Sequence, residues 1–344
     1  MNVFELTRKF IDIESITMNE AAMGEAVFAH LSELAARFDG AVEKMHVEHP
    51  EGKPRFNVLA TFGDPIVTLS THMDTVPPFF PSREDDEFIW GRGACDVKDI
   101  IAAMILAAER VLAEGIRGLA LLFVVGEERN SVGAYHAAKH GRGSRYIING
   151  EPTENHLALG SKGALRYEII ARGKMAHSAY PELGESAILK LLDALEAIRR
   201  VELPVDKILG PSTLNIGIIG GGRAPNVIPD EARAELLIRL VESGEATKVA
   251  IVAAATKAGV EAKEVLCIPA VHLGSVPGFK TTVVAYTTDI PAFGGAWGQP
   301  LLLGPGSIHV AHTDQERVPK SELLEAVDLY QNLATSLIQK SNQS

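Results

Sequence analysis

Three apolar runs in this 344-residue chain each end in residues that ligate metals. Ile66 to Thr71 runs into His72-Met73-Asp74, Leu119 to Val125 into Gly126-Glu127-Glu128, and Tyr146 to Ile148 into Asn149-Gly150-Glu151. Imidazole nitrogens and carboxylate oxygens are the donors that hold divalent cations. Two further stretches carry the same donor types. Gly91-Arg92-Gly93-Ala94-Cys95-Asp96 sets an aspartate behind two glycines that permit a tight backbone path, and the stretch from Gly304 to Glu316 holds His309 and His312. Spacing does not choose between those histidines. Each stretch also has a plain explanation: a surface turn for His72-x-Asp74, an N-cap for Asp96, an acidic turn for Glu127-Glu128, a loop for Glu151. Adjacent carboxylates repel, however, unless a cation lies between them or one is protonated. Five such signals at strand ends point to one metal site rather than to five accidents.

The elements that must position these residues read as follows. Short apolar runs rich in β-branched residues are buried strands of a parallel sheet, and open α/β sheets bind ligands at the carboxyl ends of their strands. Helical periodicity covers residues 2–12 and roughly 19–37, and strands are expected over Phe56–Phe62 and Ile66–Thr71. A helix from Ile100 to Glu114 is stopped by Gly115, and a strand, a helix and a strand follow over Leu119–Val125, Ser131–His140 and Tyr146–Ile148. After Gly160 the order becomes strand Ala164–Ala171, helix Ser186–Arg200, strands Thr213–Ile219 and Ala232–Leu240, helix Ala246–Ala258 and strand Val260–Leu266. That β-α-β-β-α-β order is the ferredoxin-like arrangement. It predicts an α/β domain with a mostly parallel sheet (residues 1–160 and 273–344) and a smaller ferredoxin-like α+β domain inserted in it (161–272), which the resemblance described below makes the catalytic domain and its lid. Val283–Ala285, Pro300–Leu303 and a last helix, Ser321–Leu337, complete the first domain.

Composition narrows the class. A net charge of −11 argues against nucleic acid, which needs a basic stripe. Two cysteines, Cys95 and Cys267, are too few for a disulfide framework and fit a reducing compartment. The amphipathic start lacks the unbroken apolar stretch of a signal peptide, and no run of 18 apolar residues suggests a membrane span. The expectation is a soluble cytoplasmic protein.

Taken together, His72-x-Asp74, Gly91-Arg92-Gly93-x-x-Asp96-x-Lys98, Glu127-Glu128, Gly150-Glu151-Pro152 and His312-x-x-x-Glu316 resemble the M20 family of dinuclear zinc hydrolases. The family includes deacetylases and desuccinylases of amino-acid biosynthesis, aminoacylases and carboxypeptidases, and the match runs through nearly the whole chain. The resemblance implies two zinc ions, with cobalt or manganese as substitutes. His72, Asp96 and Glu151 would hold one and Asp96, Glu128 and His312 the other, with Asp96 bridging and its bond to Val97 cis. Glu127 would be the general base. Alternation along a strand puts His72 and Asp74 on one side, so that Asp74 can accept the second imidazole N–H. Asp99, where relatives often carry glycine, and Gln315 depart from the pattern without touching a ligand.

Ala176-His177-Ser178 resembles the family segment whose histidine reaches the partner subunit's site and stabilises the oxyanion. Asn226 and Arg239 match positions that bind the substrate's carboxylate or acyl end, and arginine suits bidentate carboxylate capture. The loop Gly304-Pro305-Gly306-Ser307 could present N–H groups to a carboxylate. The resulting expectation is a homodimer, paired through the lid, that hydrolyses the amide of a small N-acyl amino acid. The alternative is a carboxypeptidase or a di- or tripeptidase. A non-catalytic binding protein is disfavoured because every ligand and the base are present.

Overall fold

Every residue of strands Val67–His72 and Leu119–Val124 is buried, so both faces of their sheet must be covered. The computed structural model describes residues 1–343. Its main sheet has the order Ala41–His46, Phe56–Phe62, Leu119–Val124, Val67–His72, Tyr146–Asn149, Gln299–Leu302. The last four strands run parallel. Phe56–Phe62 is antiparallel to Leu119–Val124, and Ala41–His46, which the hydrophobic pattern does not announce, is antiparallel to Phe56–Phe62. The sheet is therefore mostly rather than wholly parallel. The link from Phe62 to Val67 is too short for a parallel crossover, which takes a dozen residues or more.

Register explains why ligands gather at one end. His72 pairs with Val124 and Ser70 with Asn149, so Glu127-Glu128 and Glu151 emerge just beyond the level of His72. Helix Lys98–Ala113 covers the sheet and is itself encased, with 12 of its 16 residues buried, as expected of a helix that is apolar nearly all round. It begins at Lys98 rather than Ile100. Its cap residue is Val97, and no side chain caps it, so Asp96 is not an N-cap. The bond between Asp96 and Val97 is cis.

The chain divides into two units. One contains residues 1–159, 273–282 and 288–344, the other residues 160–272 and 283–287. In the second unit, strands Gly163–Arg172, Thr213–Gly221, Glu231–Leu240 and Glu261–Ile268 form an antiparallel sheet in which Gly163–Arg172 and Glu231–Leu240 are central. Helices Ala187–Arg199 and Glu245–Lys257 close one face, their Leu191, Leu195, Ile198, Ile251 and Ala255 packing on Ala232, Ala234, Leu236 and Ile238. The alternating burial of Glu231–Leu240 leaves Arg233, Glu235 and Arg239 on the other face. The strand Leu157–Ser161, also silent in the sequence, pairs with Val271–His272 where the chain enters and leaves this unit.

Candidate metal centre

His72 ends a central strand with 1% of its surface exposed. Its Nδ1 lies 2.9 Å from the main-chain carbonyl of Asp74. A carbonyl only accepts, so Nδ1 carries the proton and Nε2 presents a lone pair. Nε2 lies 3.2 Å from Asp96 Oδ1 and 4.0 Å from Glu151 Oε1. Neither His72 Nε2 nor Glu151 Oε1 has a hydrogen-bond partner, although both are buried. On the other side of Asp96, His312 Nε2 stands 3.0 Å from Oδ2 and 3.1 Å from Glu128. Asp96 thus turns one oxygen to each histidine. His72, Asp96 and Glu151 form one metal-capable group and Asp96, Glu128 and His312 another, the candidate donor atoms within each lying within 4.8 Å of one another. His309 belongs to neither group.

The electrostatics of this cluster call for cations. Burial pushes Glu127 and Glu151 well above the usual carboxylate range, and neighbouring carboxylates add to it. Burial also raises Glu128 against the pull of His312. Asp96 moves the other way: despite burial, His312 and His72 hold it below its ordinary value. Asp96 and Glu128 in turn raise His312 to about 10. Buried carboxyls that resist ionisation, facing orphaned nitrogen and oxygen donors, are what a divalent cation would satisfy. The residues therefore fit two such ions.

Asp74 stands beside His72 and has further partners. Its carboxylate is 3.5 Å from His72 Nδ1, farther than its own carbonyl, and it accepts hydrogen bonds elsewhere, from the 126–128 backbone and Thr17. Glu127 begins its turn after Gly126, whose φ of +84° and whose packing against Arg55 exclude a side chain. Among the described residues the Glu127 carboxylate makes no hydrogen bond or ion pair.

Glu316 ties the two outer ligand loops together. Its carboxylate pairs with the buried Arg92 guanidinium and accepts the Gly93 N–H at 2.7 Å. That explains the spacing of Gly91-Arg92-Gly93 and of His312-x-x-x-Glu316 in physical terms. Asp289 is a site neighbour for which the sequence offers no signal. It is 2% exposed, its Oδ1 lacks a partner, and burial raises it to about 7.

Of the expected substrate-binding residues, those of the glycine loop have partners within the chain. The Gly304 N–H already donates to Thr153 Oγ1 at 3.0 Å and the Gly306 N–H to Glu322 at 2.9 Å, while the Ser307 hydroxyl donates to Glu154 at 2.7 Å. These groups are spent on bracing the loop against residues 153–154 and the C-terminal helix. In the second unit, His177 and Asn226 lie on one two-stranded ribbon, where Ser178 N–H bonds to the Asn226 carbonyl at 3.0 Å. The exposed His177 accepts the Ala179 N–H through Nδ1 at 3.2 Å, so the proton of its neutral ring sits on Nε2. Arg166 and Arg233 on the open sheet face are paired with Glu235 and Glu168. Arg239 is half-buried and, among the described residues, has no partner.

The profile of a peptidase dimerisation domain, M20_dimer, matches residues 159–264. A peptidase M20 domain-containing protein of Schizosaccharomyces pombe is 37% identical over 340 residues, spanning 96% of this chain and 84% of the relative. A probable carboxypeptidase of Aspergillus niger is 37% identical over 378 residues, spanning 98% and 90%. Among solved structures, a tripeptidase of Staphylococcus aureus shares the fold with a TM-score of 0.81 at 22% identity, over 98% of both chains. An M20 metallo-carboxypeptidase of Sulfolobus solfataricus does so with a TM-score of 0.75 at 15% identity, over 98% and 99%. With its donor groups in place and more than a third of its residues shared over nearly its full length, the chain belongs to the M20 peptidase family of metal-dependent hydrolases of linear amides.

Proposed function

We propose that the protein is a carboxypeptidase-type hydrolase of short peptides, cleaving the amide next to a free C-terminal carboxylate. The observation that carries this reading is Arg239, a desolvated arginine without a counter-ion on a face where its neighbours are paired. A substrate carboxylate would complete it bidentately. Relatives named as probable carboxypeptidases support the same choice. A small N-acyl amino acid presents the same carboxylate beside the same kind of amide, so deacylation is the second reading.

We assign two divalent cations, zinc first, to His72, Asp96 and Glu151 and to Asp96, Glu128 and His312. When bound, they would supply polarisation of the scissile carbonyl and a water of lowered pKa. Glu127, unpaired and beside the donors, takes the proton from the attacking water and passes it to the leaving amine. His177, exposed and with its proton on Nε2, donates to the oxyanion of a second copy's substrate in a homodimer. Asn226 helps seat the substrate from the same ribbon. Exposed Ile218 and Ile219 on the edge strand Thr213–Gly221 support pairing of that strand with its copy.

A panel of N-blocked dipeptides, N-acetyl and N-succinyl amino acids, and C-amidated peptides tests the reading. Turnover of the first two classes but not the third is expected, with Arg239→Ala raising KM. Equal turnover of C-amidated peptides with a free N-terminus would replace it with an aminopeptidase.

A further inference from the structure

We propose that Asp74 acts on the base as well as beside the histidine: its carboxylate, braced by Thr17, fixes the backbone that carries Glu127. The proposal rests on the assignment of Glu127 as base. Three successive N–H groups converge on this one side chain. Gly126 and Glu127 donate to Oδ1 at 2.9 and 3.1 Å, and Glu128 donates to Oδ2 at 3.3 Å. Consecutive amides that point inward make a concave anion site, and here Asp74 fills it from within the chain. The Thr17 hydroxyl adds a fourth donor to Oδ2 at 2.8 Å. With 0% of its surface exposed, the carboxylate has no water to replace a lost partner.

The brace is rigid at both ends. Thr17 N–H bonds to the Thr75 carbonyl at 3.1 Å and Thr75 N–H to the Ser15 carbonyl at 3.0 Å, so Thr17 moves with the residue next to Asp74. Across the turn, Asn130 and Ser131 N–H groups return to the Gly126 carbonyl at 3.1 and 2.8 Å. The His72 Nδ1–H is met by the Asp74 main-chain carbonyl at 2.9 Å, nearer than the Asp74 carboxylate at 3.5 Å. A side-chain change at position 74 therefore leaves the imidazole's tautomer in place and frees the base turn. Because the three amides face Asp74, the Glu127 and Glu128 side chains are set by where those amides are pinned, and a small rotation of the turn displaces the proton acceptor.

The experiment combines amide hydrogen exchange on the metal-free protein with zinc titration and kinetics. Asp74→Ala should raise exchange at residues 126–128 by about 10–100-fold, the range for losing charge-assisted bonds. Zinc stoichiometry should stay at wild type, and kcat should fall with KM little changed. Asp74→Asn keeps one carbonyl-type oxygen, so Gly126 and Glu127 should stay protected while Glu128 loosens. Thr17→Val, a milder variant that avoids a cavity at position 74, should give a smaller rise in exchange at the same residues, reversed by Thr17→Ser. Unchanged exchange at 126–128 in these variants, or loss of zinc at the His72 group in Asp74→Ala with the turn still protected, would overturn the proposal. Exchange and zinc binding need no substrate, so they decide it even if Glu127 proves not to be the base.

Discussion

Glu127 and Glu128 are adjacent in the chain and opposite in circumstance. Glu128 lies against His312, while the Glu127 carboxylate has no partner among the described residues. Glu127→Gln removes a proton acceptor and no ligand. It should keep both metals, by elemental analysis, and lose ~10²–10⁴-fold in kcat, the span of general acid–base contributions. Near-normal turnover with full metal content would take Glu127 out of the reaction. The same cluster makes the metal-free protein sensitive to pH in a definite direction. Glu127, Glu128 and Glu151 are raised in the fold, chiefly by burial, and Asp289 is raised to about 7. His312 is raised to about 10 by Asp96 and Glu128. Above the ordinary carboxylate range, the folded chain thus holds more protons than the unfolded one. Stability then falls as pH rises, from the unfolded carboxyl values through about 7 for Asp289 and on towards about 10 for His312. Asp96 opposes this only below its ordinary value, and Lys98, lowered by burial to about 8, only from about 8 upward. Melting of the metal-free protein should therefore be higher at pH 5.5 than at pH 8.5, and zinc should reverse the order by replacing the protons. A metal-free melting temperature that climbs over that interval would contradict the burial argument.

At the scale of elements, the site is a junction of strand ends and loops held by buried ion pairs. Glu316 joins the loop that presents Asp96 to the turn that presents His312, through Arg92, 2% exposed, and the Gly93 N–H. Glu316→Gln leaves the Arg92 charge buried without its partner, which costs about 3–5 kcal/mol. Chemical denaturation should show that loss. The double variant Arg92→Met with Glu316→Leu should lose less than the two single changes added together, and simple additivity would argue against a shared role. Much of this junction is legible in the sequence. The donors sit at the ends of apolar runs, and strand alternation and parallel order bring them to one edge. What escapes is long-range. The antiparallel start of the sheet follows from a short link rather than from periodicity, and strands Ala41–His46 and Leu157–Ser161 carry too little apolar pattern to stand out. The glycine loop looks open in sequence, but Thr153 and Glu322, far along the chain, have taken its amides. Asp289 has no motif, and only the packing of helix Ile290–Phe293 near the turn that leads to Ser131 brings it close.

At the scale of the molecule, the second unit carries Arg239, Asn226 and His177 while the first carries every proposed metal ligand. Pairing through strand Thr213–Gly221 would use Ile218, 56% exposed. Ile218→Asp should yield a monomer by light scattering and retain zinc, and a persisting dimer would move the interface elsewhere. The ends of the second unit's long segment, residues 160–272, have a consequence of their own. Gly160 and Ser161 pair directly with His272 and Val271, so the segment leaves and re-enters the chain at almost one point. Such a segment is a cassette: it can be swapped, lengthened or cut out while the parent chain sees only a closed loop of different size, and the entropy of closure grows slowly with length. Replacing residues 161–271 with a short glycine-containing turn should give a protein that still binds two zinc ions and, without Arg239, Asn226 and His177, no longer turns over the substrate. New selectivity can then be grafted between two fixed splice points, with the metal-binding half left as it is.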